Sequence, residues 1–436
     1  MSTSSNASSN LLNRLRKNQD SRDEAPLYRE ELPSSTTSIP LLDSTTKTSP
    51  FQYFRTPEFR HRARTYSLGL LVRLLTLIVI IGVLAAIGIG LTYTDGLPDP
   101  DDYSNLQFNW TTNPSSYLRP FNTTFQYNVL LDGHSHSTYS DGRMSVRQLL
   151  DWHIANGYNA VIVSDHNTIE GGLAAEKLAL AEYNSSIVVI PAIEYSCCRL
   201  HMNLIGINQT VTIGPPVPTD QDLQAVIKQV HDLGGIVIVN HIPWSNTTED
   251  GYEVPRLPNH PSLSDLKAWG VDGFEIINQG TFDYPTMQFC QENNLIQMTG
   301  TDVHYPNVPA NAWTLIQTAN YTKESILNEI KARRTSFLFD PTGTNTRSYP
   351  SENSAYWKLA PLTTLGDYFN SFYSDSKGMY SFQGTFCQPE VLEVHNSMIG
   401  WFIFWLFISV VVFELVRAGV MALWSLVRRK TSISSQ

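Results

Sequence analysis

The sequence predicts an α/β fold closed as a barrel and held between two membrane-spanning helices. Three observations predict it. Across residues 126–345, short β-rich runs alternate with helical stretches, the rhythm of βα units around a parallel sheet. Two long apolar runs bracket that region, one on each side. Histidines and carboxylates collect where the β-rich runs end, the face on which α/β barrels build their sites.

Residues 1–66 of the 436-residue chain are rich in Ser, Thr, Asn and Pro without an apolar period, which predicts a disordered tail. Leu74–Leu91, "LLTLIVIIGVLAAIGIGL", is eighteen residues without a charge and predicts a transmembrane helix over 70–93. It begins too far along the chain for an ordinary cleaved signal peptide, so it reads as a signal anchor. Five arginines from Arg55 to Arg73 precede it and the acidic "TDGLPDPDDY" follows. The positive-inside rule therefore puts the N-terminal tail in the cytoplasm. A second apolar run starting at Met398 predicts a span over 398–424, and Arg428, Arg429 and Lys430 put residues 425–436 in the cytoplasm as well. Glu414 and Arg417 stand three apart on that helix and can pair near the cytoplasmic headgroups.

With both ends inside, residues 93–397 face a lumen (ER, Golgi or vacuole) or the cell exterior. Sequons at Asn109, Asn122, Asn184, Asn208, Asn246 and Asn320 all fall in this segment and predict N-linked glycans. Such a compartment permits disulfides. Four cysteines occur, at 197, 198, 290 and 387, too few for a disulfide scaffold or a Cys-based zinc module. Cys290 with Cys387 is conceivable, adjacent Cys197 and Cys198 rarely bridge each other, and the pairing stays open. The same segment carries 15 Lys/Arg against 32 Asp/Glu, a net of −17 (15 − 32), which argues against a nucleic-acid partner.

Residues 94–125 read as a linker. The barrel then runs "YNVLL", helix "SVRQLLDWHIANG" with Ser145 as N-cap, "NAVIVS", helix "GLAAEKLALAEY", "SIVVIPAIEYS" and "HMNLIGI". Next come helix "DQDLQAVIKQVHDLGG", "IVIVNH", helix "SLSDLKAWG", "GFEIIN", helix "YPTMQFCQENN", "LIQMTGTDVH", helix "KESILNEIKARR" and "TSFLFD". About seven such strands in 220 residues predict closure rather than an open sheet. Residues 346–397 lack this rhythm and read as an aromatic-rich connector to the second span.

His134 and His136 follow the first strand at i, i+2, so in extended chain both point one way. Asp165 and His166 follow the second, Glu194 ends the third, His241 follows "IVIVN", and Asp302 with His304 again sit i, i+2. His201, which opens a strand, is the exception to this placement. Nitrogen and oxygen donors without cysteine suit zinc, manganese or iron. The remaining histidines, His61, His153, His231, His260 and His395, lie in helices, tails or loops and read as structural or solvated.

"DGHSHSTYSDG", "SDHNT", "PAIEYS", "NHIPW" and "GTDVHYP", in that order, resemble the motif series of the PHP (polymerase and histidinol phosphatase) family over Tyr127–Asp340. The chain is identified as a membrane-anchored, fungal-type secretory-pathway member. Departures are slight: Ser137 and Ser164 stand where Thr is common, and "HIPW" interrupts a His-Pro. The resemblance implies a distorted (β/α)7 TIM-like barrel with two or three divalent ions and mostly phosphoester hydrolysis. It implies His134, His136, Glu194 and Asp302 on one metal, Glu194 bridging to a second held by His201 and His241, and Asp141, His166 and His304 on a third.

Asp132 and Asp165 are candidates to accept the second ring N–H of a ligating histidine, or to cap loops. Arg199, Arg143 or Arg256 would hold the substrate phosphate. A phosphorylated small molecule, lipid or glycan is the expected substrate. A metal-dependent amide or C–N hydrolase and an inactive membrane adaptor are the alternatives.

Overall fold

The computed structural model describes residues 56–92, 97–246, 257, 259–376 and 379–433. The tail 1–55, Arg256 and the loop around it lie outside the described residues. Units 1–75 and 76–436 divide the chain. The described part of the first is the start of helix α1 (Pro57–Thr92), so the last residues of the expected tail are helical.

The second unit holds β1 (Val129–Asp132), α2 (Val146–Ala155), β2 (Ala160–Val163), α3 (Glu170–Glu182), β3 (Val188–Ser196), β4 (His201–Ile205), α4 (Asp220–Asp232) and β5 (Ile236–Val239). It continues with α5 (Ile242–Asn246), α6 (Leu263–Trp269), β6 (Gly273–Asn278), β7 (Thr281–Phe282), α7 (Tyr284–Asn293), β8 (Ile296–Gly300), β9 (Ala312–Ile316), α8 (Lys323–Lys331) and β10 (Thr335–Phe339). Ser145 caps α2 with a capping box, and Thr219 and Ser262 do the same for α4 and α6.

These ten strands form one curled sheet in the order β10-β9-β1-β2-β3-β4-β5-β6-β7, with β8 on β6. The expected distorted (β/α)7 barrel appears as a curled sheet of mixed strand pairing. β1–β2, β2–β3, β5–β6 and β6–β8 pair parallel, whereas β3–β4, β4–β5, β6–β7, β9–β1 and β9–β10 pair antiparallel. The physical reason at β3–β4 is connection length: Cys197–Leu200 is too short for a crossover, so β4 must return alongside β3. The strand over Ala312–Ile316 was not among the expected elements. Gly133 N donates to Thr299 O and Asp302 N to His134 O, which draws the ends of β1 and β8 together.

Alternation explains why the strands are apolar throughout. Val129, Leu131, Ala160, Ile162, Ile190, Ala192, Ile236, Ile238, Ile296 and Met298 share one buried cluster, joined by Ile326 and Ile330 of α8. The alternate residues, such as Val161 and Val163 or Val237 and Val239, pack into separate clusters. Both faces are therefore buried, as in sheets covered by helices.

Pro57–Leu91 and Asn396–Arg429 are helices long and apolar enough to cross a membrane. The described residues of the connector form α9 (Ser354–Trp357), α10 (Ala360–Asn370) and the paired strands β11 (Tyr373–Ser376) and β12 (Val391–Val394), leading into α11 (Asn396–Ile433). A Cβ on Gly88 would stand 2.5 Å from the Leu362 carbonyl oxygen and 2.8 Å from Gly366 N, so α1 and α10 cross backbone to backbone. Tyr368, Phe369 and Phe372 pack on Phe402 of α11.

The disulfide joins Cys198 to Cys387, not Cys290 to Cys387; Cys290 and Cys197 are buried free thiols. Closing 189 positions of chain restricts the unfolded state strongly. Cys387→Ser is expected to cost about 2–5 kcal/mol, read as a lower thermal midpoint of the full chain; an unchanged midpoint would contradict a structural cross-link. Asn109, Asn122, Asn184, Asn208 and Asn320 are exposed.

Candidate metal centre

Ser135 bridges to Val303, so the pairs His134/His136 and Asp302/His304 flank one rung of the closure between β1 and β8. Alternate residues of extended chain share a side. Asp302 Oδ1 accordingly lies 3.4 Å from His134 Nε2 and 3.2 Å from His136 Nε2. Asp302 holds φ +51° and His241 φ +27°, which non-glycine residues rarely adopt and which cluster where function demands them.

Glu194, fully buried at the end of β3, is the hub. Its Oε1 lies 3.1 Å from His201 Nδ1, 3.1 Å from His241 Nε2 and 3.4 Å from His134 Nε2. Its Oε2 lies 2.9 Å from His166 Nδ1 and 3.4 Å from His136 Nε2. Antiparallel pairing explains the exception in the sequence pattern: His201 starts β4 but registers with Ser196, so it reaches the same rim. Asp141 Oδ1 faces His304 Nε2 at 3.1 Å and His166 Nε2 at 3.6 Å.

The donor set fits divalent cations. His136, Asp141, His166 and His304 offer one ligand atom each within 4.8 Å of one another, as do His134, His136 and Glu194, and His166, Glu194 and His201. His201 Nε2 is buried without a hydrogen-bond partner, which costs free energy unless something else coordinates it. Nε2 of His134 and of His136 stand 3.0 Å apart, both turned into the cluster.

Charge balance says the same. Burial pushes the His134 and His241 imidazoles down, but the surrounding carboxylates outweigh it and hold both above the ordinary value. His304 likewise overcomes burial, raised to about 9 by Asp141 and Asp302. Burial takes His201 to about 4 and, with the His304 and His166 charges, His136 to about 3. Glu194 and Asp302 stay well below the usual carboxylate range despite burial, because of the histidines. Without metal the cluster therefore holds protons where cations would sit.

Around these groups lies a positioning layer, most of which the sequence pattern missed. Glu275 of β6 takes the place expected for Asp132: its Oε1 is 3.2 Å from His134 Nδ1, and its Oε2 accepts from His241 N at 2.8 Å. Gly300 makes room for it, since a Cβ there would come within 2.0 Å of Glu275 Oε1. A lone acid inside "GFEIIN" was the available signal. Ser196 lies 2.6 Å from His166 Nδ1, Ser245 2.8 Å from His241 Nδ1, and Asn240 donates to Glu194 Oε1 at 2.9 Å.

Asp132 bonds instead to His153 Nε2 at 2.8 Å and accepts from Thr301 N at 2.9 Å and His134 N at 3.3 Å. Asp165 accepts from Ser137 N and Ser140 Oγ, both at 2.8 Å. Both carboxylates thus fasten loops rather than orient a ligating ring. Asp132→Asn is expected to cost about 1–3 kcal/mol by weakening a buried acceptor, seen as a lower urea midpoint with secondary structure retained. An unchanged midpoint would remove it from the support of this rim.

Arg199 pairs with Asp220 at 2.8 Å and donates to Asn259 O and Pro218 O; Arg143 pairs with Asp99 at 2.7 Å. Neither lines the cavity, and among the described residues no lysine or arginine does. That cavity, of about 530 Å³, is lined by Asp141, His166, Glu194, His201, His241, Asp302 and His304 together with Glu275, Asn278, Trp244, Tyr380 and Phe382. The connector thus enters the site: the Phe382 ring stacks on the His166 imidazole at 3.6 Å between centroids.

No protein-family model and no curated protein matches the chain. Among solved structures, the chain is similar to a two-domain Bacteroides vulgatus protein containing a "predicted PHP-like metal-dependent phosphoesterase", with 18% identity over 59% of this chain and 74% of that one and a TM-score of 0.40. It is similar to PsfC from Pseudomonas syringae (14% identity, 56% and 100% covered, TM-score 0.36). An amidohydrolase from Chromobacterium violaceum with bound sulfate matches at 16% identity, 48% and 98% covered, TM-score 0.32. These likenesses are low, and the functional reading rests on the geometry of the site.

Proposed function

We propose that the chain is a membrane-anchored, metal-dependent phosphoesterase of the PHP kind, its site on the lumenal or extracellular side. The observation that carries this reading is the convergence of five histidines on buried Glu194, with Asp302, Asp141 and His304 completing the same cluster. His134, His136, Glu194 and Asp302 would hold one ion, and Glu194 would bridge to a second on His201 and His241. Asp141, His166 and His304 would hold the third, with His136 close by. Zinc, manganese and iron are the candidate ions.

Bound divalent ions supply Lewis acidity, lowering the pKa of water towards ~7 and offsetting charge on phosphoryl oxygens. The protein's part is to present ring nitrogens. His304 Nδ1 donates to the Asp302 carbonyl at 2.8 Å, which turns Nε2 towards Asp141 as the nitrogen a metal would take on displacing its proton. Glu275 Oε1 accepts from His134 Nδ1–H and so directs Nε2 into the cluster. The aromatic rings of Phe382 and Trp244 flank the imidazoles and limit water.

The absence of a cationic side chain from the described lining is what an amide substrate would leave, so a metal-dependent amide or C–N hydrolase is the second reading. The test is the full chain in detergent with zinc, manganese or iron, offered phosphate monoesters, diesters and amides. Phosphate release supports the first reading, amide cleavage alone the second, and no turnover by a metal-free protein an adaptor. The exposed sequons and the disulfide support the lumenal side. Mobility unchanged by glycan removal would contradict it.

A further inference from the structure

We infer that the site carries a second, apolar subsite for the alcohol half of its substrate, and that this alcohol is the long chain of a membrane lipid phosphate. The inference rests on the phosphoesterase reading. Beside the metal-ligand cluster, Pro243, Trp244, Ile276, Met379, Tyr380 and Phe382 line the same cavity. Phosphate alone does not fill about 530 Å³, a volume typical of pockets that take a whole organic ligand. Trp244 (37% exposed) and Tyr380 (41%) present apolar surface to the opening.

The apolar wall is built and pinned, not draped. Phe382 holds φ +56°, a strained conformation for a bulky residue. Several contacts impose it: Asn167 Nδ2 donates to Ser381 O, Gln383 Nε2 donates to Ser196 O, and the Cys198–Cys387 disulfide ties the loop to the strand turn beside the site. Strain maintained by this many contacts marks a position where the ring is needed.

The occupant follows from where the wall is attached. Asn396, the first residue of α11, comes fourteen positions after Phe382. Between them β12 exposes Val391 (61%), Leu392 (61%) and Val394 (50%), a short apolar strand directly ahead of the span. His395 N donates to Phe372 O, and Phe372 itself packs on Phe402 of the span. In the membrane-anchored reading α11 lies in a bilayer, and an amphiphile of that bilayer is the apolar ligand that the attachment of this wall brings within reach. In the reaction, water's oxygen forms the new bond to phosphorus, the ester P–O bond breaks, and the long-chain alcohol leaves with water's proton.

The experiment uses the full chain in phospholipid nanodiscs, metal-loaded, with methyl, butyl, octyl and dodecyl phosphate as substrates. Each buried methylene strengthens binding by roughly threefold to fourfold, so kcat/KM is expected to climb at least about 100-fold from methyl to octyl, chiefly through KM. Phe382→Ala and Trp244→Ala should each flatten that climb by at least tenfold, and Phe382→Leu should restore part of it. A flat series with phosphate still released overturns the subsite and leaves the hydrolase standing. Release from no ester overturns the hydrolase reading instead; binding of the matching alkylphosphonates, weak or strong regardless of chain length, then overturns the subsite, and affinity rising with chain length upholds it.

Discussion

Glu194→Gln is expected to lower kcat/KM for phosphate release by roughly 10³-fold, about 4 kcal/mol of transition-state stabilisation, while the chain stays folded. Among the described residues, Glu194 is the one carboxylate whose two oxygens face five histidines, at 2.9 to 3.4 Å. The amide keeps the shape and one acceptor but loses the charge. In the proposed centre, the hold on the ions it would bridge and the negative potential that cations need would weaken together. Metal content of the purified variant should fall by at least one equivalent. Retention of full metal content with full activity would show that Glu194 is only a buried partner of histidines.

Removing metal is expected to make stability and rebinding depend on pH in opposite directions. In the metal-free chain His304 titrates at about 9, above its unfolded value near 6.5. A group raised on folding stabilises fully below the unfolded pKa and loses that contribution as pH rises through the folded one. The chelated protein should therefore lose a few kcal/mol between pH ~6.5 and ~9. Metal must displace that proton, so apparent affinity should rise over the same interval, by up to about tenfold per pH unit for this one group. Thermal melts of chelated protein and metal titrations at four pH values test both. A melting midpoint independent of pH, with affinity equally flat, would remove His304 from the centre.

What the sequence made legible was local. Strand ends with i, i+2 pairs of donors, apolar runs with caps, and uncharged spans follow from periods of 2 and 3.6, and the pairs at His134 and Asp302 stand as that rule requires. What it concealed was non-local. Nothing near Cys198 says that Cys387 is its partner, because pairing reflects the path of a whole connector. Asp132 and Asp165 sit beside candidate ligands in sequence yet bond to a helix histidine and to loop groups, whereas Glu275 comes from another strand to meet His134. The reversal at β4 was hidden in a four-residue turn, and the same reversal explains how His201 reaches the rim. Phe382 carried no signal, since one aromatic in a connector looks like any other until a disulfide sets it on an imidazole.

The most direct test of a multi-ion hydrolytic centre is the metal stoichiometry of the full chain, purified without chelator and measured by elemental analysis beside His134→Ala. Two or three equivalents of zinc, manganese or iron are expected in the parent chain, with at least one lost in the variant. A metal-free parent, or a variant with an unchanged complement, would contradict the assignment.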